Sequence, residues 1–234
     1  MSKGTEDRDC RDGSQDARRD ADRDGGQDAD CGERDADRDC EGDRHGGGLR
    51  ARLVTVGVEL VNAEGAQALS LREIARRAGV SHGAPRRHFP THLDLLSAIA
   101  RRGFAELAAR IAAEDRASAA PRERIVLLAR VYLDYAETRR GMYELMFRHD
   151  LLESGRLGLR ETSLPLFAHL TGLVARVHPD ADPVVVAAAL WANLHGIAQL
   201  WHWGSLRLAT GGGDPAPLLT AALDAHLGPE EPGR

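Results

Sequence analysis

Apolar residues recur every three or four positions along most of the chain from residue 49 onward, which is the spacing of amphipathic helices. In 49–65, for example, Leu53, Val56 and Leu60 lie at helical intervals, and the run stops at Gly65. Alternation with a period of two, which would indicate strands, is scarce, while Ala, Leu, Arg and Glu are abundant. The pattern therefore predicts an all-α fold.

Two short helices joined by a tight turn are predicted next. Ser70 is expected to cap the first helix, and Glu73 three residues later would complete a capping box. Gly79 suits the left-handed conformation that ends a helix, and Ser81 can cap the second helix, over 82–88. Two helices that cross closely about such a turn form a helix-turn-helix.

The second of these helices is too polar to lie in a core. Its polar residues are His82, Arg86, Arg87 and His88. Arg can donate two hydrogen bonds to guanine in the major groove of DNA, and His can reach a phosphate or a base edge. Gly83 and Ala84 add no bulk, so the backbone can approach DNA closely. The glycines match neither GxGxxG nor GxxxxGK[ST], and no strand precedes them, which excludes the phosphate-binding loop of an enzyme.

The segment 70–100, SLREIARRAGVSHGAPRRHFPTHLDLLSAIA, resembles the DNA-binding domain of the TetR family of bacterial one-component regulators. The family pattern runs T-x-x-x-I-A-x-x-A-G-V-S-x-G-x-x-Y-x-H-F-x-x-K-x-x-L-L. The matching positions are Ser70, Ile74, Ala75, Ala78, Gly79, Val80, Ser81, Gly83, His88, Phe89, Leu95 and Leu96. Arg86 stands where the family has Tyr and His92 where it has Lys, and both of those family residues usually contact the DNA backbone.

The polar helix and the resemblance together define the DNA-binding residues that we expect. These are Ser70, Arg72, Ser81, His82, Gly83, Ala84, Arg86, Arg87, His88 and His92. They lie in a three-helix helix-turn-helix domain over 49–100, and the partner is expected to be a double-stranded DNA operator.

A second helical domain is predicted over 101–228. The helix that enters this domain continues to about Glu114 and is followed by a linker. Five further helical segments are predicted: 122–139, 141–151, 158–178, 184–208 and 216–227. Asp182 is expected to cap the segment 184–208, with Pro183 as its first helical residue. The segment 184–208 is apolar nearly all round, which favours burial against both its own subunit and a partner chain. The resemblance implies a homodimer, because the last two helices of TetR-like subunits form a four-helix interface.

Soft and aromatic side chains are concentrated in this second domain. They suit a core, and they equally suit an adaptable apolar cavity. The candidate ligand pocket consists of Met142, Met146, Phe147, Phe167, Trp191 and His195. The W-x-x-x-H-G motif at Trp191, His195 and Gly196 also resembles a C-terminal domain type found in part of the TetR family.

Composition sets the two ends of the chain apart from these domains. Residues 1–48 hold sixteen acidic and nine basic residues with almost no aliphatic ones, so we expect a disordered tail; 229–234 form a second, short tail. Nothing resembles a signal peptide, and no apolar run reaches the roughly 18 residues that span a bilayer, which favours a cytoplasmic protein without a membrane partner.

No constellation of residues indicates catalysis, a metal or a cofactor. His88 and His92 are four residues apart, but a turn at Pro90 is expected to separate them, and His195 and His202 are too far apart along one helix to share a metal. We therefore predict a non-enzymatic transcriptional regulator, a repressor whose operator affinity is altered by a small-molecule effector. The alternative is a helical small-molecule-binding protein or enzyme whose helix-turn-helix mediates protein contacts. The nearly neutral charge of 49–234 favours this alternative, because a DNA-binding domain is usually basic.

Overall fold

The computed structural model describes residues 36–148, 150–151 and 158–229, with side chains from residue 48 onward. Residues 1–35, for which disorder was predicted, and most of the C-terminal tail lie outside this part of the chain. The side chains of the three cysteines lie outside it as well. The chain divides into two units, Met1–Glu41 and Gly42–Arg234, and the sites described below lie in the second.

The described residues are helical, without strands, which confirms the predicted all-α class. The helices are α1 (Ala36–Glu64), α2 (Leu71–Arg77), α3 (Ala84–His88), α4 (His92–Glu114), α5 (Pro121–Thr138), α6 (Arg140–Met146), α7 (Leu159–Val177), α8 (Pro183–His202), α9 (Ser205–Thr210) and α10 (Ala216–Leu227). A short 3-10 turn, Ala66–Ala68, connects α1 to the loop before α2.

Several helix boundaries differ from the sequence prediction; the helix predicted over 141–151, for example, ends at Met146. Two differences are larger. Helix α1 begins at Ala36, so the backbone of 36–48 is helical where disorder was predicted. A lack of apolar residues argues against packing, but it does not prevent the hydrogen bonds of a helix from continuing outward from a packed segment. The single helix predicted over 184–208 is in fact two, because Gly204 has φ of 80° and separates α8 from α9. Leu208, the last residue of the segment for which burial was predicted, is 88% exposed.

The N-terminal helices α1 to α4 enclose one part of the core. Leu53 and Leu60 of α1, Ile74 of α2 and Leu96 of α4 are fully buried, and Phe89 fills the space after α3. Full burial of side chains of this size stabilises a fold by about 1.5–3 kcal/mol each. The polar residues of α2 and α3 are therefore held on a fixed scaffold.

Helix α4 joins this part to the rest of the molecule. Its first half carries Leu95 and Leu96 in the core just described, and its second half carries Phe104, Leu107 and Ile111, which line a cavity in the C-terminal part. The expected domain boundary at residue 100 thus lies inside a continuous helix.

Helix α8 is long and apolar enough to cross a membrane by length and composition alone, which corrects our reading of its sequence. It packs against α5, α7, α9 and α10, and Leu190 and Leu194 are buried in the core. Its apolar character is thus partly that of a core helix. Val184, Val185 and Leu200 remain exposed on its outer surface.

Candidate DNA interface and internal cavity

The start of α2 is capped as predicted, but the capping box is incomplete. The Ser70 hydroxyl accepts a hydrogen bond from the Glu73 amide at 3.2 Å. The Glu73 carboxylate instead accepts from Arg76 and Arg77, at 2.7 to 2.9 Å. Hydrogen bonds from Arg76 and then Arg77 lower the pKa of Glu73 to about 2. Two guanidinium groups one turn away outcompete the Ser70 amide for this carboxylate, and Arg77 also pairs with Glu64 of α1.

The turn between α2 and α3 has the predicted geometry. Gly79 has φ of 65°, which confirms the left-handed conformation. The Val80 amide donates to the Ala75 carbonyl at 3.0 Å, and Val80 is half-buried against the core. These contacts fix the angle at which α3 leaves α2.

Helix α3 begins two residues later than predicted, at Ala84, and Ser81 does not cap it through its side chain. The Ala84 amide, the donor that a Ser81 cap would use, donates to the Ser81 carbonyl at 3.0 Å. Pro85 has no backbone N–H that could donate to a helix cap. The prediction for Ser81 as helix cap was therefore wrong, since the main chain of the turn takes the available hydrogen bond.

One side of α3 is anchored and the other is open. Pro85 and Phe89 are buried, whereas His82, Gly83, Arg86 and Arg87 are exposed, and Ala84 and His88 are half-buried. Within the described part of the chain, neither Arg86 nor Arg87 has an ion-pair partner. Both charges are thus available to an external anion.

The other predicted DNA-binding residues lie around this helix. Ser70 and Arg72 are exposed at the start of α2. His92 is exposed at the start of α4, where Nε2 of its ring donates to the Leu69 carbonyl at 3.1 Å. This bond orients the imidazole, and one ring nitrogen remains for a further partner.

Two basic residues that we did not predict lie at the ends of the turn and of α3. The Arg50 guanidinium lies over the Phe89 ring, 5.1 Å from its centroid. The Arg52 guanidinium lies beside Gly79, with Nη2 3.7 Å from the position that a Cβ would take there. Both belong to α1, and nothing in the local pattern of α1 indicates which element they approach.

The C-terminal part encloses a cavity of about 310 Å³ between α4, α5, α7 and α8. The predicted residues Phe147, Phe167 and Trp191 are in its wall, together with Phe104 of α4, Tyr132 of α5 and Ser163 of α7. The Trp191 ring lies 6.2 Å from Phe147 and 6.3 Å from Phe167, centroid to centroid. Leu164 and Trp191 line the cavity and are also 59% and 38% exposed, which places an opening between α7 and α8.

The other three predicted pocket residues do not form part of this wall. Met142 and Met146 are fully buried, with their sulfur atoms against Gly103 of α4, because α6 turns that face toward α4. His195 lies behind Trp191 and Phe147, its ring 6.0 Å and 4.8 Å from theirs. These residues support the wall instead of forming it.

His195 belongs to a polar cluster that the sequence did not reveal. Its Nδ1 lies 2.7 Å from the Tyr143 hydroxyl and 2.9 Å from the Tyr132 hydroxyl, and the two hydroxyl oxygens are 3.0 Å apart. Burial lowers the pKa of His195, and burial raises the pKa of both tyrosines far above their usual range. The cluster is therefore uncharged near neutral pH, with two hydroxyl groups within hydrogen-bond distance of a neutral imidazole.

Two family models match the chain. One, described as bacterial regulatory proteins of the tetR family, matches residues 53–99, and the other, described as a tetracyclin repressor-like C-terminal domain, matches residues 125–226. The chain belongs to the TetR family, as the resemblance of 70–100 implied, and it is a DNA-binding transcriptional regulator. The second match includes the W-x-x-x-H-G motif at Trp191.

Solved structures agree with this assignment. A protein of unknown function from Rhodococcus sp. RHA1 is 29% identical, with coverage of 76% of this chain and 93% of that chain and a TM-score of 0.64. A TetR family member from Streptomyces coelicolor A3 is 27% identical, with coverage of 76% and 98% and a TM-score of 0.54. The multidrug binding protein EbrR, solved with imidazole, is 28% identical, with coverage of 79% and 96% and a TM-score of 0.51. No curated protein matches the chain.

Proposed function

We propose that the protein is a repressor that binds its operator through α3. The observation that carries the proposal is the open side of α3, where Arg86 and Arg87 are exposed and have no ion-pair partner in the described chain. Ser70, Arg72, Ser81 and His92 surround this side and supply further contacts to phosphates, while His82, Gly83, Ala84 and His88 form the rest of the helix surface. No catalytic step is assigned to the chain.

We propose further that two subunits bind one operator. Val184, Val185 and Leu200 expose apolar surface on α8, and a groove between α8 and α10 is lined by Leu200 and Leu218. Pairing these helices between two subunits would bury that surface, and a dyad would place the two copies of α3 one turn of DNA apart, about 34–36 Å. The dimer would be a cytoplasmic protein with no membrane partner.

Selection of DNA by the purified protein tests the DNA-binding proposal. We expect repeated enrichment of one palindromic sequence from a random duplex library, with affinity that falls steeply as salt rises. Sedimentation of the complex should give two subunits per duplex. If no sequence is enriched and the protein is not retained on duplex DNA at low salt, the helix-turn-helix would serve protein contacts instead.

The cavity between α4, α5, α7 and α8 is our proposed effector site. An occupant would contact Phe104 on α4, the helix that also carries Leu96 in the DNA-binding part, so its binding energy can favour one arrangement of that helix. A ligand that binds better to the arrangement with poor operator affinity would release the DNA by a population shift. EbrR, whose solved structure is similar to this chain, is described as a multidrug binding protein, which supports a ligand-binding role for this fold.

Intrinsic fluorescence tests the effector site. Trp191, Trp201 and Trp203 are the only tryptophans, and Trp191 alone is in the cavity wall. An effector should change the emission saturably and dissociate the DNA complex over the same concentration range, because the two affinities are linked. A ligand that releases DNA equally well from a folded Trp191→Phe protein, without any change in wild-type emission, would place the effector site elsewhere.

A further inference from the structure

The cavity wall contains no charged side chain among the described residues. Its polar atoms are few, chiefly the hydroxyls of Tyr132 and Ser163 and the indole N–H of Trp191. The Tyr132 hydroxyl contacts His195 behind the wall, whose Nδ1 faces two hydroxyl groups at 2.7 and 2.9 Å. The part of the wall that the structure describes therefore offers an occupant neither a counter-ion nor a series of free hydrogen-bond donors.

This composition discriminates strongly against ions. A charged ligand loses its hydration on entry, and an uncompensated charge in an apolar site is far more costly than an uncharged group. The aromatic faces of Phe147, Phe167 and Trp191 could attract a cation, but such contacts offset only a part of the hydration free energy that the cation loses. An anion is repelled by the ring faces, and its weak contacts with ring edges replace only a small part of the hydration that it loses.

The arrangement of the rings favours a flat aromatic occupant. Phe104 and Phe147 meet edge to face at 5.6 Å, and Phe167 and Trp191 meet at an interplanar angle of 63°. Rings held at such angles present both faces and edges, which are the two geometries that aromatic pairs prefer. A volume of about 310 Å³ lies at the small end of the range for ligand pockets.

One wall hydroxyl is only weakly engaged. Ser163 Oγ donates to the Arg160 carbonyl at 3.5 Å, the outer limit for a hydrogen bond. The Tyr132 hydroxyl is instead held by Tyr143 and His195. Ser163 is thus the polar group that can turn toward a hydroxyl of the ligand at little cost.

We propose that the cavity binds an uncharged, fused-ring or similarly flat aromatic molecule with no more than one or two hydroxyl groups, and that it rejects cationic and anionic analogues of the same size. This inference rests on the proposed function only in taking the cavity to be the effector site. The binding of the ligand class itself requires no DNA.

Four probes with one ring system test the inference: naphthalene, 2-naphthol, 2-naphthoate and 2-naphthylmethylammonium. Calorimetric titration of the full-length protein at pH 7 should give saturable binding of the two neutral probes, one per subunit, and at least tenfold weaker binding of the two ions. Ser163→Ala should weaken 2-naphthol about tenfold relative to naphthalene if the hydroxyl is bound there. Binding of either ion as tight as that of 2-naphthol, or no saturable binding of either neutral probe, would overturn the proposal.

Two variants establish that binding occurs in the cavity. Ala188 is in the wall, so Ala188→Leu should reduce neutral-probe affinity at least tenfold, whereas Ala168→Leu on the exposed side of α7 should leave it unchanged. Equal affinity in both folded variants would also overturn the proposal. The neutral probes could also bind as expected and yet leave DNA affinity unchanged at saturation. The cavity would then bind the proposed class of ligand, but it would not be the effector site.

Discussion

At the scale of single residues, the contacts of His195 explain how a polar imidazole can be partly buried in the core. Its Nδ1 lies 2.7 Å from the Tyr143 hydroxyl, and burial lowers the pKa of the imidazole, which favours the neutral ring that such a site can hold. Sequence reasoning placed His195 near the pocket but not its partners, since Tyr132 is 63 residues away. Arg50 and Arg52 were missed for the same reason, because only the fold brings α1 to the ends of α3.

The free energy of unfolding should depend on pH through His195. The unfolded imidazole takes up its proton near pH 6.5, while the folded one does so at lower pH, so the unfolded state binds more protons between these values. Stability is therefore complete above about pH 6.5 and falls as the pH is lowered toward the folded pKa. Denaturant unfolding between pH 8 and 5 would measure this slope.

His195→Gln should make that slope shallower, because it removes the group whose pKa burial lowers. A part of the slope will remain in the His195→Gln protein, because burial also lowers the pKa of His202. Lower stability of His195→Gln at every pH is expected and carries no information about titration. Parallel curves for wild type and His195→Gln would show that His195 does not titrate differently on folding.

At the scale of elements, α4 and α6 connect the cavity to the DNA-binding helices. Helix α6 places Tyr143 in the cluster with His195, and its first turn lies against α1. A Cβ on Gly141 would overlap the Val61 carbonyl oxygen and lie 3.0 Å from the Gly65 Cα. Movement of α6 on ligand binding would therefore displace the end of α1 directly.

Gly141→Ala should alter operator affinity without removing the fold. The added methyl group meets backbone atoms, so α6 and α1 must separate, and we expect operator affinity to change by about 0.5–2 kcal/mol. Fluorescence anisotropy with a labelled duplex measures the change, and circular dichroism checks the fold. Gly172→Ala on α7 is the matched control, because its Cβ would meet nothing within 4 Å. Unchanged operator affinity in a folded Gly141→Ala protein would remove α6 from the coupling.

The predictable elements were those with local signals. Gly79 and the Asp182–Pro183 helix start were predictable because each follows from the backbone preference of one residue. The break at Gly204 was not, because the apolar pattern of α8 continues through it to Leu208. Likewise, the sequence indicated that Met142 and Met146 are buried or line a cavity, but it could not tell that they pack against Gly103 of α4.

At the scale of the whole molecule, the fold and the dimer should not require the acidic tail. Residues 1–47 have almost no aliphatic side chains, and Leu53 is the first buried residue in the part of the chain whose side chains are described. A chain that begins at Gly48 should keep its helical circular dichroism and sediment as a dimer. A monomeric or unfolded truncated protein would show that the segment before Gly48 takes part in folding or assembly.

Operator binding by the whole molecule is expected to depend on α3 as the recognition helix. Anisotropy titrations of the selected duplex at several salt concentrations, with Arg86→Ala, Arg87→Ala and the exposed control Arg116→Ala, test this most directly. We expect each α3 variant to lose about 1–3 kcal/mol of binding free energy where the arginine contacts bases, or to show a salt slope reduced by about 1 where it contacts a phosphate. Arg116→Ala should match the wild type. If neither α3 variant differs from wild type at any salt concentration, α3 is not the recognition helix and the account is wrong.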